Sequence, residues 1–304
     1  MPQQAVIALF GPTAVGKTAV AIALAALLQA EGEDPVAVSA DALQVYKGLE
    51  TLTGVPGTAQ LKQLEHRLIS FVPLTESFSA GRYAELAHAE IDGLIEHGNL
   101  PLVVGGTGLY LRAALADLEL RPPPAPGIRE RLTAELAELG SQALHSRLRE
   151  QAPWAAERIA PGDSHRLIRA LELHASGQLR QRPPESELWT ATTRQPTLLV
   201  GLVADRELLY EQINRRVDAM VAAGAREEVA AAAAAGASDT ARRALGFSDL
   251  LAGDIEGMKR HTRNYARRQL TWMRKLNGVV TVDVSGRAAE SVAGEISERW
   301  RMNR

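Results

Sequence analysis

The chain has no cysteine among its 304 residues. That absence excludes a disulfide framework, a thiolate zinc site, an iron–sulfur cluster and a cysteine nucleophile. Any catalysis must therefore rest on oxygens, nitrogens or a borrowed ion. Long apolar runs are also missing. The first, Ala5 to Phe10, stops at Gly11-Pro12, and the stretch from Ala19 to Leu28 is well short of the about 20 residues that span a bilayer. Met1-Pro2-Gln3-Gln4 carries no basic segment of a secretory signal. A soluble cytoplasmic protein without a membrane partner is expected. The histidines are scattered without metal-ligand spacing, so a zinc held by the protein is not expected. Charge of one sign is lacking as well, since 34 Lys+Arg and 36 Asp+Glu leave a formal net charge of -2. A uniformly basic coat for nucleic acid is excluded, whereas a local basic patch remains open.

What is present is an ordinary apolar fraction, 46% hydrophobic, over a length that suggests about two domains of roughly 150 residues. Ala5 to Phe10 reads as a buried strand and Gly16 to Gln29 as a helix. Pro35 to Ser39 and Leu100 to Val104 read as further strands, with a helical pattern from Ala80 to His97 between them. Strands alternating with helices imply an α/β fold with a parallel sheet. After Leu120 the texture changes, because Arg121-Pro122-Pro123-Pro124-Ala125-Pro126 can continue neither element. The pattern is helical from Ile128 to Ser176, a second breaker follows at Arg182-Pro183-Pro184, and Thr197 to Val203 returns to a buried strand. The expected plan is a core of residues 1–120 and 196–304 interrupted by an all-helical insertion over 121–195.

Directly after the first strand comes Gly11-Pro12-Thr13-Ala14-Val15-Gly16-Lys17-Thr18, which fits G-x-x-x-x-G-K-[ST] and opens a helix. The glycines let backbone N–H groups turn toward phosphate oxygens and the helix N-terminus adds positive potential. Lys17 brings a charge, and the Thr18 hydroxyl can ligate Mg²⁺. A diphosphate ligand is expected over residues 11–18, in a fold resembling the P-loop nucleotide- and ATP-binding proteins. The loop alone leaves open whether a phosphate is transferred, hydrolysed or expelled. A nucleotide hydrolase would end an apolar strand in an acid that helps hold Mg²⁺. The strand from Leu100 instead ends in Gly105-Gly106-Thr107-Gly108. The acid stands at the end of the second strand, Asp41, which should face the phosphate loop because the carboxyl ends of parallel strands line the ligand crevice. It could assist a metal, act as a general base, or simply cap a turn.

Far downstream, no acid interrupts the chain between Gly257 and Asp283, a span holding Lys259, Arg260, Arg263, Arg267, Arg268, Arg274 and Lys275. On a helix, Arg260, Arg263, Arg267 and Arg274 form a stripe, while Tyr265, Gln269, Trp272 and Leu276 share another side. A basic rail of this kind suits RNA phosphates, which position a partner without reading its sequence. The bland alternative is a solvated helix face.

Five segments together resemble the tRNA dimethylallyltransferase (tRNA isopentenyltransferase) family. They are residues 11–18, Ser39-Ala40-Asp41-Ala42-Leu43-Gln44-Val45-Tyr46, Val103 to Tyr110, Arg166 to Glu172 and Arg268 to Arg274. The resemblance implies a P-loop enzyme that, with Mg²⁺, moves a dimethylallyl group from its diphosphate to the N6 amine of an adenosine just 3′ of the anticodon. It further implies that Asp41 is the base, that Lys17, Thr18 and Arg216 attend the diphosphate, and that the insertion touches the anticodon arm. The neighbouring Arg215 competes with Arg216 for its role. Implied RNA contacts are Asp41, Ala42, Leu43 and Gln44, Thr107, Arg129, and His165, Arg166, Leu167, Ile168 and Arg169. Arg243, Ala244, Leu245, Gly246, Phe247 and Ser248 follow, with Arg263, Arg267 and Gln269. A monomer that binds a tRNA anticodon arm and dimethylallyl diphosphate, and no DNA, is expected.

Departures from the family pattern stand at Val15 and Ala42, where serine is usual, at Phe247, where tyrosine is usual, and in Leu52-Thr53-Gly54-Val55-Pro56, which lacks the customary lysine. Rival readings are a small-molecule kinase using the same loop, an adenylate prenyltransferase, and an ATP-driven RNA-binding protein.

Overall fold

The computed structural model describes residues 5–121, 127–181 and 187–302. The N-terminal tetrapeptide and most of both proline-rich breakers, residues 122–126 and 182–186, lie outside the described residues. The chain forms two compact units, residues 1–118 with 187–304, and residues 119–186.

In the larger unit, β1 (Val6–Phe10) leads through the phosphate loop into α1 (Lys17–Ala30) and β2 (Pro35–Ser39). The one-turn helices α2 (Glu50–Thr53) and α3 (Thr58–Leu61), the short β3 (His66–Arg67), α4 (Ala80–Glu96), β4 (Leu100–Gly105) and α5 (Gly108–Leu115) follow. The smaller unit supplies α6 (Ile128–Gln151), α7 (Pro153–Ala156) and α8 (Ser164–Ala175). The larger unit then resumes with β5 (Thr197–Val203), α9 (Arg206–Ala222), α10 (Ala225–Ala234), α11 (Phe247–Leu251), α12 (Ile255–Lys275), β6 (Val280–Asp283) and α13 (Ala289–Met302).

The six strands make one sheet in the order β3-β2-β4-β1-β5-β6, with every pairing parallel. Central position explains composition. All five residues of β1 are fully buried, so Val6-Ile7-Ala8-Leu9-Phe10 is apolar throughout rather than alternating. Helix α1 buries Val20, Ala21, Leu24, Ala25 and Leu28, and their cluster includes Val292, Ala293, Ile296 and Trp300 of α13. Helix α12 is the most amphipathic: Met258, Thr262, Ala266, Gln269 and Met273 are buried at helical spacing, and the Asp254 carboxylate caps its N-terminus through the Gly257 N–H at 2.7 Å. Among the described residues no helix is long and apolar enough to cross a membrane.

The strands read from apolar runs recur within a residue of their expected limits, whereas β3 and β6 were not foreseen. Both boundaries differ, the first only by Glu119 and Leu120, which fall in the smaller unit. Residues 187–195, expected in the insertion, belong to the core unit, because the Trp189 ring packs 4.6 Å from that of Trp272 and Arg194 pairs with Asp92 at 2.8 Å.

The smaller unit has its own apolar centre, in which Leu132, Leu144, Leu148, Leu167 and Leu171 meet. Gly140, at φ 80°, breaks α6 into two helical stretches, a conformation that glycine adopts without a Cβ penalty. Beside this centre the fully buried carboxylate of Glu172 holds Arg129, with Nη2 to Oε2 at 2.9 Å, and Arg169 at 3.2 Å. Burial pushes the Glu172 carboxyl up, but hydrogen bonds and charge from the two guanidiniums outweigh it and hold the group below the usual carboxylate range.

Candidate active site

The phosphate loop spans the carboxyl end of β1 and the start of α1. Ala14 (φ 66°) and Gly16 (φ 95°) both adopt left-handed backbone, which folds the loop into a concave run of N–H groups. A Cβ on Gly11 would fall 2.9 Å from the Val15 side chain and 3.1 Å from the Leu202 carbonyl, so this glycine is needed for closure. Val15 itself is buried in the core cluster, so the residue standing in place of the family's serine packs inward. The ammonium of Lys17 donates to the carbonyls of Gly11 (3.0 Å) and Pro12 (2.8 Å). Burial, reinforced by the nearby Arg216 guanidinium and opposed by Asp41, pulls Lys17 down to about 7. An arriving polyanion would restore its charge.

A cavity of about 710 Å³ opens beside this loop, walled entirely by residues of the larger unit. Lys17, Thr18, Asp41, Gln44, Arg216 and Gln269 all line it. Asp41 directly follows the carboxyl end of β2. One carboxylate oxygen accepts the N–H of Leu43 (2.9 Å) and Gln44 (3.4 Å), fixing the side chain in an Asx-type turn. Arg216 lies on α9, where burial lowers its guanidinium and Asp41 opposes the shift. Arg215 instead points outward and pairs with Glu211 at 3.7 Å. Of these two arginines, Arg216 lines the cavity.

Glycines at the end of β4 are dictated by close approach. A side chain on Gly105 would meet the Ala40 backbone, one on Gly106 the amide of Gln269 and the Gly11 carbonyl, and one on Gly108 the ring of Trp272. Gln269 accordingly acts as a brace. Its carbonyl accepts the Thr13 N–H at 2.8 Å and its amide donates to the Gly106 carbonyl at 2.7 Å. Both ends of this buried side chain, expected as an RNA contact, are committed to Thr13 and Gly106, and the side chain also lines the cavity.

Other expected RNA contacts divide by exposure. His165, Arg166, Arg243, Ser248 and Arg267 are exposed. Leu167, Ala244 and Phe247 are buried, so their side chains pack in the interior. Ile168 packs against the smaller unit's core, and Gly246 takes a left-handed turn (φ 90°) before α11. Leu245 lines the cavity. The Thr107 hydroxyl sits 3.4 Å from the Ala42 nitrogen and 3.3 Å from the Tyr265 hydroxyl, joining the β2 and β4 ends to α12. Arg129, His165, Arg166 and Arg169 fall in the smaller unit. Arg263, expected beside Arg267 on one rail, is half-buried and donates to Asn214 at 2.7 Å with its guanidinium over the Tyr210 ring.

Three features escaped sequence reasoning. Tyr265, assigned to an apolar seam, lines the cavity, and burial with the Asp41 charge pushes its hydroxyl up to about 12. Its signal was the four-residue spacing to Gln269, which puts both on one face. Helix α2 and Gly54 also line the cavity, and Val55, Met220 and Met258 are among its apolar lining residues.

A phosphate loop at the carboxyl edge of a parallel sheet, sharing one cavity with a fixed carboxylate and an inward guanidinium, is the arrangement of a P-loop enzyme. A family model described as IPP transferase matches residues 44–276. The tRNA dimethylallyltransferase of Kineococcus radiotolerans is 41% identical over 286 residues, covering 90% of this chain and 89% of the relative. That of Geobacillus thermodenitrificans is 37% identical over 311 residues, covering 97% and 95%. Among solved structures, the full-length tRNA isopentenylpyrophosphate transferase of Bacillus halodurans matches with a TM-score of 0.70 at 31% identity, over 99% of this chain and 98% of that one. A eukaryotic dimethylallyltransferase acting on tRNA shares the fold at a TM-score of 0.74 and 23% identity, over 98% and 80%. The chain belongs to the IPP transferase family.

Proposed function

We propose that this chain transfers the dimethylallyl group of dimethylallyl diphosphate to the N6 amine of the adenosine 3′-adjacent to the anticodon of tRNAs, releasing pyrophosphate. The observation that carries the reading is the shared cavity of Lys17, Thr18, Arg216 and Asp41. The first three attend an anion, and the fourth is a carboxylate. As the carbon–oxygen bond of the allylic diphosphate breaks, negative charge grows on pyrophosphate, where Lys17, Arg216 and the loop N–H groups stabilise it. The adenine N6 lone pair forms the new bond to the allylic carbon, and the Asp41 carboxylate accepts the proton that N6 sheds. Val55, Met220 and Met258, which line the cavity, offer apolar contacts for the five-carbon chain. Because the target base sits within an anticodon arm, it must leave its stack to enter the cavity.

Mg²⁺ fits these residues. Thr18 and Asp41 present hard oxygen donors to the same space, the chemistry this ion prefers alongside substrate phosphates. Thr18 would hold it together with the diphosphate, and the ion would neutralise charge on the leaving group. The chain acts as a cytoplasmic monomer, with the exposed arginines of α12 and of the smaller unit meeting RNA phosphates. Two observations favour this reading over a kinase or an ATP-driven RNA binder: β4 ends in Gly105-Gly106 rather than an acid, and the named relatives are prenyl-transferring enzymes.

The test is to incubate the protein with Mg²⁺, dimethylallyl diphosphate and, separately, an anticodon stem-loop, free AMP, or ATP with small acceptors. Prenylated stem-loop is the expected product. Its absence alongside ATP turnover would reject the proposal, and prenylated AMP alone would move it to the adenylate reading.

A further inference from the structure

Part of the cavity lining comes from a segment with little intrinsic order. Helix α2 is one turn long, its N-cap is Leu49, and leucine offers no side-chain acceptor for the first backbone N–H groups. A helix this short does not persist by itself, since nucleation costs more than one turn recovers. Yet Thr51, Leu52, Thr53, Gly54 and Val55 all face the cavity. Gly54, at φ 65°, ends the turn so close to Arg216 that a Cβ there would collide with the guanidinium. Gln44 clasps the same end, its amide donating to the carbonyls of Thr53 (3.3 Å) and Gly54 (3.0 Å). The turn thus sets the space in which Arg216 lies.

What orders the start of the turn comes from far along the chain. The Glu228 carboxylate, on α10, accepts the Thr51 N–H at 2.9 Å through one oxygen and the Leu52 N–H at 2.7 Å through the other. Glu228 therefore supplies the missing cap, with charge-assisted bonds that also suit the positive end of the helix dipole. Glu228 is not itself part of the cavity wall.

We infer that Glu228 is a positioning residue for the diphosphate end of the site, acting through α2 on Arg216. This rests on the prenyl diphosphate reading above. Without the carboxylate, two N–H groups lose their partners, the turn loosens, and the fraction of molecules with a formed anion site falls.

The experiment titrates inorganic pyrophosphate with Mg²⁺ calorimetrically into wild type, Glu228→Ala, Glu228→Gln and Arg216→Ala, with anticodon stem-loop affinity and kinetics measured in parallel. Glu228→Ala should weaken pyrophosphate binding by about tenfold and raise KM for dimethylallyl diphosphate by a similar factor, with kcat and stem-loop affinity within about threefold. Glu228→Gln, which keeps one acceptor oxygen, should recover most of the loss. Should Glu228→Ala fail to fold, Glu228→Gln decides by binding pyrophosphate measurably more weakly than wild type. Pyrophosphate binding within about twofold of wild type in a folded Glu228→Ala variant, or an equal loss of stem-loop affinity, would overturn the inference. Wild type that binds no pyrophosphate would overturn the diphosphate reading itself, and this inference with it.

Discussion

At the scale of single residues, the site is decided by which side of a helix or loop each group occupies. Asp41 spends one oxygen on the Leu43 and Gln44 N–H groups, which leaves the other for chemistry. Asp41→Asn keeps the shape and removes the proton acceptor. It should lower kcat by about 10²–10⁴-fold with stem-loop affinity within a few-fold, measured by single-turnover transfer and filter binding. An equal loss of both would make Asp41 a reader of RNA. The phosphate loop and Asp41 were legible in the sequence, because their meaning is carried by a handful of neighbouring positions between a strand and a helix. The choice between Arg215 and Arg216 was not. Adjacent residues on a helix differ in direction by about 100°, and only the packing of α9 reveals which one turns inward. Tyr265 and Glu228 were hidden for the same reason, since their partners lie far away in the chain.

At the scale of elements, the basic stretch on α12 splits in two. Arg260, Arg267, Arg268 and Arg274 are exposed, whereas Arg263 is half-buried against α9 and Lys259 is held by Asp218 at 2.8 Å. Arg267→Ala should therefore weaken RNA binding and reduce the slope of log affinity against log salt by about 1. Arg263→Ala should leave that slope near the wild-type value and instead lower the melting temperature, because it unpicks the contacts to Asn214 and Tyr210. Identical slopes for wild type and Arg267→Ala would return the exposed face to plain solvation. Helical periodicity exposed the stripe from sequence alone, but a period cannot tell a rail facing solvent from one whose flank meets another helix. The two short strands went unseen because β3 has two residues and the apolar alternation of β6 is brief.

At the scale of the whole molecule, the near-neutral charge average conceals a local concentration of basic groups, so composition alone pointed away from RNA. The two units each carry an apolar centre. Joining residue 118 to residue 187 through a flexible linker should then leave a core that still binds pyrophosphate within about threefold, while anticodon stem-loop affinity falls by at least about tenfold. Calorimetry and filter binding on the same preparation would check both. Stem-loop affinity that survived the deletion would strip the smaller unit of its proposed role.

The parallel register places β1 between β4 and β5, and these two neighbours are made at very different times. Phe10 and Thr197 are about 190 residues apart, so at about 5–20 residues per second the second edge of β1 waits roughly ten to forty seconds for its partner during synthesis. The helices of the smaller unit, whose contacts are local, can fold within that interval. The interruption of the core thus lengthens the period in which a fully apolar strand has an open side during synthesis.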